Sequence, residues 1–65
     1  MYAKAVNQAI ARLPESHAQA IRLFHIQGLS TRQAAQKAGC SEKAFERRLY
    51  RGRKMLRRLL QGLRP

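Results

Sequence analysis

The chain has 65 residues; fourteen are Lys or Arg and three are Asp or Glu, for a formal net charge of +11. A chain this short forms one small domain, with no room for separate substrate and cofactor halves. Hydrophobic residues at 45% are too many for a disordered tail, and the single cysteine excludes an internal disulfide. No apolar run is long enough for a membrane span or a signal-peptide core. What remains is a small, basic, helical domain whose charge calls for a polyanion, nucleic acid first.

Ala5, Val6, Ala9, Ile10 and Leu13 recur at helical spacing and predict a first helix over Met1 to Arg12. It ends before Pro14, because the residue preceding a proline resists the α conformation. Glu15 to Gln27 reads as the second helix, with Ala20, Ile21, Leu23, Phe24 and Ile26 as a wide apolar face and Gly28 as its C-cap. Ser30 is the N-cap of a third helix, Thr31 to Ala38, which Gly39 ends. Ser41 is a second N-cap, and the chain stays helical from Glu42 to about Leu60. Phe45, Leu49, Gly52, Leu56, Leu59, Leu60 and Leu63 form an apolar stripe along it. Gly52 costs that helix about 1 kcal/mol relative to Ala, so it marks either a close packing contact or a weak point. Gly62 and Pro65 close the chain. The expected fold is all-α: one domain over 1–65, four helices, with a helix-turn-helix and a long basic C-terminal recognition helix.

The charge is unevenly placed. Lys4, Arg12, Arg22, Arg32 and Lys37 precede the last helix, whereas Lys43, Arg47, Arg48, Arg51, Arg53, Lys54, Arg57, Arg58 and Arg64 all follow Ser41. Two of the three acids, Glu15 and Glu42, sit at helix starts, where a carboxylate favours the positive end of the helix dipole. The acids therefore read as structural, and the basic excess is left for a partner rather than for a merely solvated face.

The informative unit runs over about 31–53. Helix Thr31–Ala38, the turn Gly39-Cys40-Ser41 and the following helix form a helix-turn-helix. Ala35 supplies a small side chain where the helices cross, Gly39 takes a left-handed turn at low cost, and Phe45 plugs the angle between them. Ala34, Ala38 and Cys40 fill the apolar positions between. In such a motif the second helix enters the major groove N-terminus first. Lys43, Glu46, Arg47, Tyr50 and Arg51 on its outward face then reach base edges: Arg47 suits a bidentate pair with guanine, and Glu46 accepts from a cytosine amino group. Arg48, Arg53, Lys54, Arg57 and Arg58 suit phosphates, which give register without sequence. Neutralising about five phosphates gives a slope of log K against log[salt] of about −4.5.

From Leu13 onward the residues resemble region 4 of bacterial RNA polymerase sigma factors of the sigma-70 family, the extracytoplasmic-function type most closely. Three segments carry the resemblance: Leu13-Pro14-Glu15 with core residue Leu23; Gly28-Leu29-Ser30; and Gly39-Cys40-Ser41-Glu42 continuing into Arg48-Leu49-Tyr50-Arg51-Gly52-Arg53-Lys54-Met55-Leu56-Arg57. The spacing of Arg48, Arg51, Arg53 and Leu56 favours this family over the similar helix-turn-helix of LuxR-type regulators. The resemblance implies binding of double-stranded promoter DNA at the −35 element, docking on the flap of the polymerase β subunit, capture by an anti-sigma factor, and a place in the bacterial cytoplasm on the nucleoid. The resemblance implies that Ala44, Glu46, Arg47, Tyr50 and Arg51 face the DNA; the full candidate DNA-binding set is Ser30, Arg32, Lys43, Ala44, Glu46, Arg47, Arg48, Tyr50, Arg51 and Lys54. Lys43-Ala44-Phe45 stands where Gly-Thr-Val is common in the family, and Ala34 and Ala38 stand where larger aliphatic residues are usual. The smaller residues shrink the core by ~0.8 kcal/mol of burial per missing methylene, with Phe24 or Phe45 to compensate. A full sigma factor also carries a domain that binds the polymerase clamp and melts the −10 element; none is legible here, so an excised domain is favoured over a stand-alone protein.

No catalytic constellation is legible, since Ser16 and Ser30 lack an arranged base and acid, so no enzymatic activity and no cofactor are expected. His17 and His25 lack a second ligand pair and read as surface or cap residues rather than metal ligands. Cys40 reads as core filler rather than a reactive thiol. The alternatives are a stand-alone regulator that docks on polymerase or an anti-sigma factor, a different helix-turn-helix regulator, and, last, a membrane-surface amphipathic helix over 42–60.

Overall fold

A computed structural model describes residues 2–61; the sequence expectations for Met1, Gly62, Leu63, Arg64 and Pro65 fall outside the described residues. Within them the chain forms α1 (Tyr2–Ala11), α2 (Glu15–Ile21) running directly into a π-helical turn (Arg22–Ile26), α3 (Thr31–Ala38) and α4 (Glu42–Gln61). The all-α expectation holds, with four helices and no strand among the described residues.

Each boundary has a local cause. Past α1, Arg12 N–H donates to the Ala9 carbonyl and Leu13 N–H to that of Ile10, at 3.1 and 3.0 Å, a tightened last turn that stops at Pro14. Pro14 is extended (φ −53°, ψ 145°). Its carbonyl accepts the first two bonds of α2, from His17 N–H at 3.0 Å and Ala18 N–H at 2.9 Å. Glu15 in the first turn reaches Arg22 Nη1 at 3.8 Å. Gly28 takes the left-handed conformation (φ 72°), and Leu29 N–H closes on the Leu23 carbonyl at 3.1 Å.

The second helix departs from the expected single α-helix over Glu15 to Gln27. After Ile21 it widens to π geometry, closed by Gln27 N–H on the Arg22 carbonyl at 2.9 Å. A face counted at 3.6 residues per turn does not continue through such a turn. Leu23 stays buried and Phe24 is half-buried, but Ile26 is 59% exposed and leaves the apolar face to which the periodicity assigned it.

The helix-turn-helix forms as expected. Ser30 Oγ accepts from Gln33 N–H and Gln33 Oε1 accepts from Ser30 N–H, each at 3.1 Å, a reciprocal capping box. Gly39 is left-handed (φ 76°) and Cys40 N–H closes on the Ala35 carbonyl at 3.0 Å. Ser41 Oγ accepts from Ala44 N–H at 3.1 Å and starts α4. Phe45 is fully buried at the angle between α3 and α4, with Ala34 and Ala35 equally sealed. Ala38 and Cys40 are half-buried against the same core.

α4 lies against the other three helices, and the core gathers Ile10, Leu13, Ala18, Ala20, Ile21, Leu23, Ala34, Ala35, Phe45 and Leu49 around it. Gly52 is a packing contact and not a weak point. A Cβ there would stand 3.1 Å from Ile21 Cδ1, 3.2 Å from the His17 carbonyl oxygen and 3.3 Å from His17 Cβ. Only a bare Cα lets α2 cross α4 this closely. Phe45, Leu49 and Gly52 are buried against α2 and α3, so this part of the apolar stripe of α4 is spent on the core and is not free to lie on a membrane surface; Leu56, Leu59 and Leu60 are half-buried.

Candidate nucleic-acid interface

Burying Phe45, Leu49 and Gly52 decides which side of α4 faces outward. Lys43, Arg47, Tyr50 and Lys54 recur at steps of three and four on the opposite side, and all four are exposed. Tyr50 is 66% exposed, an unusual position for an aromatic ring. Glu46 borders this strip on one flank and Arg51 on the other, both exposed. Ala44 and Arg48 lie nearer the core and are half-buried. Ser30 and Arg32 are exposed on a different element, the start of α3, where the Ser30 hydroxyl is engaged as a cap.

The two flanks differ. On one, Arg53 Nε donates to His25 Nε2 at 2.9 Å, and its guanidinium lies 5.5 Å from the centroid of the Phe24 ring. Phe24 and His25 meet edge to face at 5.1 Å. Arg53, expected among the phosphate-facing cations, is thus held by the π-helical turn. Accepting at Nε2 makes His25 the neutral Nδ1–H tautomer. Burial, and then the Arg53 charge, push its pKa below the usual histidine value.

On the other flank the chain opens a cleft of about 290 Å³ between the start of α2 and α4, lined by Ser16, His17, Ala44, Arg47, Arg48 and Arg51. Four of these belong to the sequence-predicted set. Ser16 and His17 do not, because motif reasoning confined the interface to the helix-turn-helix. The signal that would have found them is Gly52, whose missing side chain brings His17 onto α4. His17 Nδ1 is buried with no hydrogen-bond partner. Among the described residues the ion pair present is Arg22–Glu15, so the cations of α4 stand without a carboxylate partner. No group of three His, Cys, Asp or Glu side chains among the described residues could hold a metal ion. No helix among them is long and apolar enough to cross a membrane.

A capped helix-turn-helix with an unneutralised basic second helix defines a domain of the DNA-binding class. The particular family follows from comparison. The family described as Sigma-70, region 4 matches residues 3–56, and the chain belongs to it. The chain is also 39% identical over 57 residues to the RNA polymerase sigma factor SigZ of Bacillus subtilis (strain 168), a match covering 88% of this chain and 32% of that protein. It therefore spans about a third of that curated relative's length. No solved structure matches the chain.

Proposed function

We propose that the domain binds double-stranded promoter DNA at the −35 element and docks on RNA polymerase through the flap of its β subunit, as region 4 of a sigma factor. The observation that supports this reading most is the outward strip of α4. Lys43, Arg47, Tyr50 and Lys54 are exposed together, unpaired, on a helix whose start is capped by Ser41 and whose other side is buried. Such a helix presents its first turns to base edges in the major groove, and on this reading Glu46 and Arg47 make the direct readout. Ser30 and Arg32 at the start of α3, with Arg48, Arg51 and Lys54, complete the DNA set, and Ala44 offers only a methyl contact. In the cell the domain acts in the cytoplasm, on the nucleoid.

Exposed Ile26 and Met55 are surface apolar residues outside this strip and are suited to a protein partner, the β flap or an anti-sigma factor. The test is titration of the chain against a −35 duplex and a scrambled duplex of the same length across salt concentrations. Tighter, salt-sensitive binding to the −35 duplex is expected. Equal affinity for both at every salt concentration would defeat the sequence-reading part of the proposal.

A further inference from the structure

Ser16 is a hydroxyl that the DNA-binding reading leaves idle. Ser30 and Ser41 spend their side chains as helix caps, each accepting a backbone N–H at 3.1 Å. Ser16 instead stands exposed in the first turn of α2, a helix that starts without a side-chain cap. Helix ends fray, and an uncapped one opens at low cost. The hydroxyl is therefore within reach of an enzyme that must draw a segment into its own active site.

Its surroundings give that access a meaning. Ser16 lines the cleft beside α4 together with Arg47, Arg48 and Arg51. No carboxylate lines this cleft; the neighbouring Glu15 reaches Arg22 at 3.8 Å instead. Arg48 is half-buried there, so its side chain is more confined than those of exposed Arg57 and Arg58. Like charges gathered without a counter-ion repel one another, and a dianion among them relieves that repulsion. Arginine forks pair with phosphate oxygens two at a time. A neutral hydroxyl makes little use of such a setting, whereas a phosphate ester of the same hydroxyl fits it.

We propose that Ser16 is a phosphorylation site, and that its phosphoserine is clasped by Arg48 and Arg51 across the cleft, which withdraws both arginines from a nucleic-acid partner. The donor is a nucleoside triphosphate used by a protein-serine kinase. Ser16 Oγ attacks the γ-phosphorus and a P–O ester bond forms. The bond from that phosphorus to the oxygen bridging the β- and γ-phosphates breaks, the nucleoside diphosphate leaves, and the hydroxyl proton passes to the kinase's base. The modification adds a charge of about −1.5 to −2 at pH 7 and three acceptor oxygens. Its consequence for DNA rests on the DNA-binding reading above; the clasp itself does not. The same charge stands beside Arg47, which that reading places at a base edge, and it repels the DNA backbone directly.

The test uses the full chain made by chemical synthesis with phosphate on Ser16, alone and with Arg48→Gln or Arg51→Gln, each fold checked by circular dichroism. A phosphorus NMR titration without DNA reads the clasp. The second phosphate pKa, ordinarily about 6, should lie lower in the folded chain than in the same chain unfolded in urea, since neighbouring cations favour the dianion. Each arginine variant should bring it part of the way back. Equal values in the folded and unfolded chain, or a lowered value that neither variant moves, overturn the clasp. Titration against a −35 duplex and a scrambled duplex reads the consequence. The phosphorylated chain should bind both about tenfold more weakly than the unmodified chain. Unchanged affinity overturns the switch. An unmodified chain that binds neither duplex sinks the DNA-binding reading and leaves the clasp to be decided by the phosphorus titration. Mass spectrometry of the protein recovered from its own cells, with phosphatases inhibited, should find phosphate on Ser16. Its absence in growing and stationary cells alike overturns the modification.

Discussion

Gly52→Ala separates helix propensity from packing. In an exposed helix interior the exchange stabilises by about 1 kcal/mol, because glycine spends more backbone entropy than alanine. Here the new Cβ would stand 3.1 Å from Ile21 Cδ1 and 3.2 Å from the His17 carbonyl oxygen. The methyl can swing aside, but the carbonyl belongs to α2 and moves only with the helix. Overpacking of this kind costs about 1–3 kcal/mol. The net expectation is destabilisation by about 1 kcal/mol, which lowers Tm by about 4–8 °C for a domain of this size. Thermal unfolding followed by circular dichroism reads it directly. The cause is checked with Ile21→Val, which removes the clashing Cδ1: the double variant should cost less than the two single changes added together. A Tm that rises in Gly52→Ala, or strict additivity in the pair, would refute the close crossing of α2 over α4.

Three further outcomes follow from named contacts. Ser30→Ala breaks the capping box and should cost about 1 kcal/mol, measured as a lower urea midpoint at an unchanged m-value. Arg47→Ala should weaken binding to the −35 duplex by about 1–3 kcal/mol and relax base preference at one position; an equal loss on every sequence would make Arg47 a phosphate contact. The pKa of His25 is lower in the fold than in the unfolded chain, so its contribution to stability is fully present above the unfolded value and is lost as pH falls through the folded one. Acidification below neutrality should therefore release Arg53 from His25, and the pH dependence of Tm should flatten in His25→Gln; an unchanged profile would remove that contact from the account.

Much of the fold is legible because its punctuation is local. Pro14, Gly28, Ser30, Gly39 and Ser41 act through backbone preference or a hydrogen bond to a residue three away, so their effects can be read without tertiary knowledge. The π-helical turn is not of that kind. No single residue in Arg22–Ile26 demands it; its visible counterparts are buried Leu23, the Leu29 closure and the Arg53–His25 bond, which are tertiary or span the loop. Periodicity therefore misassigned Ile26. The site divides the same way. The outward residues of α4 follow from the apolar stripe on its other side, whereas Ser16 and His17 join only through the crossing at Gly52.

That crossing also explains why the two flanks of α4 differ. At Gly52, α2 meets α4 through Ile21 Cδ1 and the carbonyl oxygen and Cβ of His17, and beside the start of α2 Arg48 and Arg51 line a concavity. Where α2 ends, the widened turn carries Phe24 and His25 to the opposite flank, and Arg53 is consumed there. One supporting helix thus leaves the cations at one end of its crossing open and ties down the cation at the other. A recognition helix with both flanks equally basic would tolerate rotation about its own axis on the duplex, since backbone phosphates line both sides of the groove. On the proposed DNA-binding reading, pinning Arg53 while leaving Arg48 and Arg51 open would favour one rotation, and that rotation would select among Lys43, Glu46, Arg47 and Tyr50 for the base edges.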